Sequence, residues 1–228
     1  MVKIDKRHKY GIMVDTETAN GLDDPLFYDV GWMVIDSHGE IYLERSYVIA
    51  DVFLGMKDLM ETAYYAEKIP QYWEDIKSGK RLLSNTFNIR KQMKTDSELY
   101  GCEFIVAHNA FFDYKSLNGT QRYLTKSKYR YFTPYGLEWW DTMRMAQSVI
   151  CKMPSYRKFC EENNYLTSRG QVRKTAEILY RFIKGDNEFI ESHTGLEDVD
   201  IERQILKYCY RQHKKMDKKL FKDRVVMA

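Results

Sequence analysis

Apolar residues run without a polar break from Tyr10 to Val14 and then give way to Asp15-Thr16-Glu17. An uninterrupted apolar stretch of this kind predicts a central strand covered on both faces. "FYDVGWMVID" and "IYLERSYVI" follow as further β-branched and aromatic runs. They are joined by the polar turn Ser37-His38-Gly39-Glu40 and read as a hairpin. The period then changes. "GMKDLMETAYYAEKIPQYWEDIKSG" has helical spacing interrupted at Pro70, and "NTFNIRKQMKTDSELYG" reads as a helix capped by Asn85 and stopped by Gly101. Short buried strands are predicted at "EFIVAHN" and "LEWWD", separated by a segment that is part helix and part aromatic-basic loop. From Thr142 onward the chain reads as helix, ending in "VDIERQILKYCYRQHKKMDKKLFKD", whose basic part spans 203–224. Strands, then strands mixed with helices, then helices predict an α/β fold. Its mixed five-stranded sheet is flanked by helices, with a helical C-terminal part, in one domain over 1–228.

Composition narrows this picture only at its edges. Of 228 residues, 44% are apolar and 14% aromatic, which supports a globular core and excludes general disorder. The 36 basic and 33 acidic residues leave a charge of +3, which neither demands nor excludes a nucleic-acid partner. No apolar run approaches the roughly 18 residues of a membrane span, and "MVKIDKRHKY" lacks the apolar core of a secretion signal. Cys102, Cys151, Cys160 and Cys209 form no CxxC pair and read as free thiols of a cytoplasmic protein. Cys209 and His213 stand one helical turn apart, but a structural zinc needs four ligands and no second pair stands at ligand spacing. Asn118-Gly119-Thr120 fits a glycosylation sequon, which in a cytosolic chain means only a turn.

Asp15 and Glu17, two apart on a strand, point to the same face. Two carboxylates about 5 Å apart repel by roughly 3 kcal/mol at an effective dielectric near 20. Protonation or a bound cation relieves that repulsion, and an all-oxygen ligand set suits magnesium or manganese. A solvated strand end is the alternative, since acid-x-acid pairs arise by chance. "FIVAHNAFFD" carries a strand into His108-Asn109 and on to Asp113 at the opening of a helix, where a plain N-cap is the simpler role. Phe112 equally suits the core. In "HTGLEDVDIE", His193 precedes Asp198 by five residues at the start of the last helix. His108 and Asp113 have the same spacing, so spacing alone does not choose the catalytic histidine.

"VDTET", "HNAFFD" and "HTGLED", in this order and on these elements, resemble the three motifs of the DEDDh 3′–5′ exonucleases. This is the proofreading and RNase T-like family on an RNase H-like fold. No tyrosine stands ahead of Asp198 at the spacing of the sister branch that replaces the histidine. The resemblance implies a catalytic core over about 9–213 with Asp15, Glu17, Asp113 and Asp198 as the acids holding two Mg²⁺ or Mn²⁺ ions, and His193 as general base. It places Thr16, Thr18, His108, Asn109 and Phe112 near the terminal nucleotide. The implied activity releases nucleoside 5′-monophosphates from the 3′ end of single-stranded or frayed DNA. An RNA-trimming enzyme and a catalytically silent nucleic-acid-binding relative remain alternatives. The proofreading branch also implies a polymerase or replication factor as partner, with a free-standing enzyme left open. Departing from shorter relatives, "NGTQRYLTKSKYRYFTPYGLEWW" mixes cations with rings, as single-strand binders do, although a solvated loop has the same composition.

Overall fold

The structure, a computed structural model, describes residues 4–221 other than 6, 127 and 129. Six strands form one mixed sheet: β1 Tyr10–Ala19, β2 Leu26–Asp36, β3 Ile41–Ile49, β4 Leu82–Ser84, β5 Phe104–Ala107 and β6 Glu138–Asp141. Their order is β4-β3-β2-β1-β5-β6. β1, β2 and β3 make an antiparallel meander, β5 and β6 run parallel to β1, and β4 runs parallel to β3. All five expected strands are present. The sixth, β4, is a three-residue edge strand too short to leave a periodic signal. It is held in place by the buried Arg81 that precedes it, whose guanidinium reaches Ser46 on β3.

Helices α1 Ala50–Phe53, α2 Lys57–Glu61, α3 Ile69–Ser78, α4 Thr86–Tyr100 and α5 Phe111–Leu124 precede β6. α6 Thr142–Ser148, α7 Pro154–Glu162, α8 Ala176–Lys184 and α9 Gly195–Arg211 follow it. Pro70 does not break a helix. It occupies the first turn of α3, where a missing N–H costs nothing. Asn85 and Gly101 cap α4 as expected: the Asn85 side chain accepts from the Asn88 N–H, and Gly101 takes the left-handed φ of 63°. Asn118-Gly119-Thr120 is not a turn but lies inside α5. The buried Asn118 side chain donates to the Tyr114 carbonyl and accepts from the Phe132 N–H.

The sheet is buried on both faces. Ile12, Val14, Val30 and Trp32 pack with Ile89, Met93 and Leu117 of α4 and α5. Met13, Met33, Phe104 and Val106 pack with Met145, Leu179, Val199 and Ile205 of α6, α8 and α9. Strand alternation thus sets Asp15 and Glu17 on the α9 side and Thr16 on the α5 side.

The basic helix expected over 203–224 ends at Arg211. His213 turns through φ 50°, and the chain then runs beside β6, bridging Lys219 to Trp140. The Asp141 N–H donates to the Lys218 carbonyl at 2.8 Å, and the Leu220 N–H donates to the Trp139 carbonyl at 2.8 Å. Continuing the helix would have crowded Lys214, Lys215, Lys218 and Lys219, whereas β6 offered an open edge to pair. Residues 222–224 of that expected helix lie outside the described residues, as do Ser127 and Tyr129 of the aromatic-basic segment. Cys209 is buried in the core, and among the described residues no group able to share a metal ion includes it or His213.

Two glycines let α9 start directly against β2. A Cβ on Gly31 would sit 2.2 Å from the Leu196 amide nitrogen, and one on Gly195 2.6 Å from the Gly31 nitrogen. Gly31→Ala should therefore destabilise the protein by about 1–3 kcal/mol and reduce activity, because it displaces the segment carrying His193 and Asp198. Gly21→Ala, with nothing within 4 Å, is the matched control in a thermal melt.

Candidate active site

The end of β1 is where the sheet's two sides meet. A bulge between Glu17 and Thr18 shifts the register, so that Glu17 pairs with Asp29 and Thr18 with Phe27. Bulges re-aim side chains at the rims of sheets, and this one leaves Glu17 facing the start of α9. Asp198 stands in the first turn of α9, its N–H donating to the Thr194 carbonyl at 3.0 Å. Ligand atoms of Glu17, Asp198 and His193 lie within 4.8 Å of one another. His193 takes a left-handed φ of 50° in the loop ahead of α9, with its ring stacked on Tyr65 at 4.3 Å.

Asp113 arrives from the opposite face. It is the third residue of α5 rather than its cap, 2% exposed, and accepts a 2.8 Å hydrogen bond from the Thr16 hydroxyl. Thr16 also meets the Ser116 hydroxyl at 2.9 Å, so the strand residue between the two β1 acids fixes the third acid. Asn109 precedes α5 with a left-handed φ of 60° and donates its N–H to Asp141 Oδ1. Phe112 is half-buried, whereas Phe111 beside it is 55% exposed. Thr18 lies half-buried beyond the bulge. Both ring nitrogens of His108 are engaged within the chain, by the Thr142 hydroxyl at 2.9 Å and the Lys174 carbonyl at 2.8 Å.

Sequence reading missed Glu202. It is 4% exposed, one helical turn beyond Asp198 on the same face of α9, and its carboxylate accepts the His108 N–H at 3.0 Å. The signal was available, since i and i+4 on a helix point the same way. Glu191, Lys68 and Tyr65 were also passed over, and no motif marks them. Lys68 donates to the Ser192 carbonyl next to His193, and the Ser192 hydroxyl donates to Asp198 Oδ1 at 3.0 Å. Under this loop, buried Asp29 accepts from the Gly195 N–H, the Tyr72 hydroxyl and Arg81, tying β2 and α3 to the start of α9.

The electrostatics are one-sided. Burial, followed by the charges of Glu202, Asp113, Glu17 and Asp198, holds the Asp15 carboxyl well above its ordinary range. Glu17 is raised by burial and then by Asp198, with Lys68 opposing. Burial pushes Asp113 and Asp198 up to about 7 against the hydrogen bonds from Thr16 and Ser192. Burial and the Asp113 charge raise Glu202 as well. Asp15 Oδ2 is buried without a hydrogen-bond partner. An all-oxygen set of mutually repelling, buried carboxylates with an orphaned oxygen at its centre fits hard divalent cations.

These shifts give the metal-free protein a definite pH dependence. Between the unfolded value of 3.8 and the folded value of about 7, Asp113 and Asp198 bind more protons folded than unfolded. Their contribution to stability is therefore present below pH 3.8 and is lost as pH rises through 7. Melts in chelator should show falling stability across that window, and the slope should flatten with manganese.

Glu191 and Glu202 line a cleft of about 790 Å³, which His108, Asn109, Met143 and Lys174 also wall. No protein-family model and no curated protein sequence matches the chain. Solved structures do match it. A full-length 3′-exonuclease superposes with a TM-score of 0.57 at 11% identity, over 92% of this chain and 85% of that one. Escherichia coli exonuclease I in complex with a 5cy-dT13 oligonucleotide gives 0.54 at 12% identity, over 90% of this chain. Its zinc-bound complex with single-stranded DNA gives 0.50 at 14% identity, also over 90%. The chain spans 41% of the length of exonuclease I. The mixed α/β sheet flanked by helices is thus the RNase H-like fold of these exonucleases.

Proposed function

We propose that this chain is a divalent-metal-dependent 3′–5′ exonuclease with its catalytic core in residues 9–213. The observation that carries the reading is the convergence on Asp15, with its unpartnered buried oxygen, of acids from β1, α5 and α9. The fold shared with 3′-exonucleases supports the same reading.

Asp15 would be shared between two ions, Glu17 and Asp198 would complete one site, and Asp113 would serve the second. Bound there, magnesium or manganese supplies the positive charge that acidifies water and offsets charge developing on a phosphodiester. The chain's own groups do the rest. Burial and the nearby Lys68 lower the basicity of His193, so its imidazole is neutral at working pH. Its ring nitrogen is then able to accept a proton from the attacking water. Tyr65 holds the ring by stacking, and Ser192 orients Asp198 by its hydrogen bond. Asn109, which lines the cleft, and Thr18 would be the groups for the terminal sugar, and Phe112 would wall its base.

DNA is the favoured substrate because exonuclease I carries a dT13 oligonucleotide on this fold. The RNA-trimming reading predicts faster loss of a matched RNA oligomer. A 5′-labelled DNA oligomer with magnesium should give a descending ladder. Immediate mononucleotide would reverse the polarity, and manganese-supported binding without shortening would leave only a silent relative. A circular single strand should survive intact.

Metal binding has a readout independent of activity. An ion at about 100 times its Kd adds about 2.7 kcal/mol, and each kcal/mol raises Tm by about 2–4 °C in a chain of this size. Manganese should therefore raise the melting midpoint by about 5–10 °C over chelator, whereas an unchanged midpoint counts against the ion site.

A further inference from the structure

The cleft does not stop at the carboxylates. Asn109, Met143 and Lys174 line both it and an adjoining cavity of about 480 Å³ that continues along α6 to Phe111, Arg144 and Lys152. The two cavities form one trough, with Glu191 and Glu202 at one end and Arg144 and Lys152 at the other. At the basic end, Arg144 is balanced by Asp141 at 3.9 Å and Asp217 at 3.8 Å. Lys174 donates to the neutral Gln147 side chain at 3.0 Å. Lys152 is exposed at the end of the short helix Ile150–Lys152 and has no ion pair among the described residues. These two lysines are the surplus positive charge of the cavity along α6. Phe111, 55% exposed, adds an open ring to the same wall.

We infer that this trough holds the nucleic-acid strand upstream of its 3′ end, with phosphates on Lys174 and Lys152 and a base against Phe111. The inference rests on the exonuclease reading and gives the strand a direction: from the acids, between Asn109 and Lys174, along α6 toward β6 and the segment paired with it. Two cations and an exposed ring lining one cavity suit a single strand, whose phosphates and base faces are both open. A duplex hides the base faces that Phe111 would need.

The test compares two substrates. The p-nitrophenyl ester of thymidine 5′-monophosphate has a scissile phosphate but no upstream strand, whereas a thymidine oligomer has both. For the double variant Lys152→Gln, Lys174→Gln, the oligomer-to-ester ratio of kcat/KM should fall roughly tenfold, a loss of about 1.4 kcal/mol. Phe111→Ala should lower the same ratio. In parallel, binding of a fluorescent thymidine oligomer in chelator is measured against salt. Two lost phosphate contacts reduce the log–log slope by about 1.4 for single strands. An unchanged ratio, or equal loss on both substrates, overturns the trough, as does an unchanged slope. A wild-type protein that hydrolyses neither substrate, yet shows the lysine-dependent slope, would remove the exonuclease reading and leave the trough standing.

Discussion

Asp15→Asn will abolish nuclease activity while making the metal-free protein more stable. The two halves of that result have one cause. The Asp15 carboxyl is buried among Glu202, Asp113, Glu17 and Asp198, and burial and their charges all disfavour its ionised form. An amide of the same shape cannot ionise, so it removes the cost of either protonating this carboxyl or bearing the repulsions that radiate from it. One such repulsion is worth roughly 3 kcal/mol at about 5 Å and an effective dielectric near 20, so a rise of about 6–12 °C in chelator is expected. The same change takes away the ligand shared by both ions, so the manganese-induced rise in Tm should vanish with the activity. A structural acid behaves in the opposite way, losing stability when neutralised and leaving activity in proportion to folded protein. Stability–activity opposition of this kind is the mark of groups kept for chemistry at a cost to the fold.

His193→Ala separates the base from the ligands. General-base catalysis contributes about 10²–10⁴-fold in rate, and a loss of that size in kcat is expected. The manganese-induced Tm rise should persist, because Asp15, Glu17, Asp113 and Asp198 remain. If the rise disappears as well, this division of labour is wrong and His193, which has a ring nitrogen within 4.8 Å of Glu17 and Asp198 ligand atoms, is itself a ligand. Near-normal turnover would assign the proton to another group. The wild-type rate should fall on the acid side as the imidazole protonates, at a pH below the ordinary imidazole value of 6.5, since burial and Lys68 lower its basicity. That acid limb should be absent from the variant.

Much of the site was legible because it uses the two shortest periodicities a chain has. Strand alternation put Asp15 and Glu17 on one face, and the apolar run ahead of them announced a central strand. The starts of α5 and α9 were recognisable from the strand before one and the helical pattern after the other. Glu202 was legible by the same helical rule that places Asp198, and was missed because it lies outside the motif. What could not be read depends on distant partners. Nothing in the sequence near Arg81 announces Asp29, Asp75 and Glu197 as its ion pairs, or the edge strand it anchors. Tyr65 and Lys68 reach His193 from a segment more than a hundred residues away, and only the folded chain brings them together. Pro70 and the lysine-rich C-terminal stretch misled for local reasons. A proline marks a helix start as readily as a break, and a basic run continues as helix only if no sheet edge offers pairing.

The central claim is that acids from three separate segments share a pair of divalent ions. Crystals grown or soaked with manganese and measured for anomalous scattering test it most directly. The account predicts two peaks about 4 Å apart, one between Asp15, Glu17 and Asp198 and the other beside Asp15 and Asp113. A crystal with full manganese elsewhere, such as between Glu177, Glu191 and His193, and none at Asp15 would contradict it.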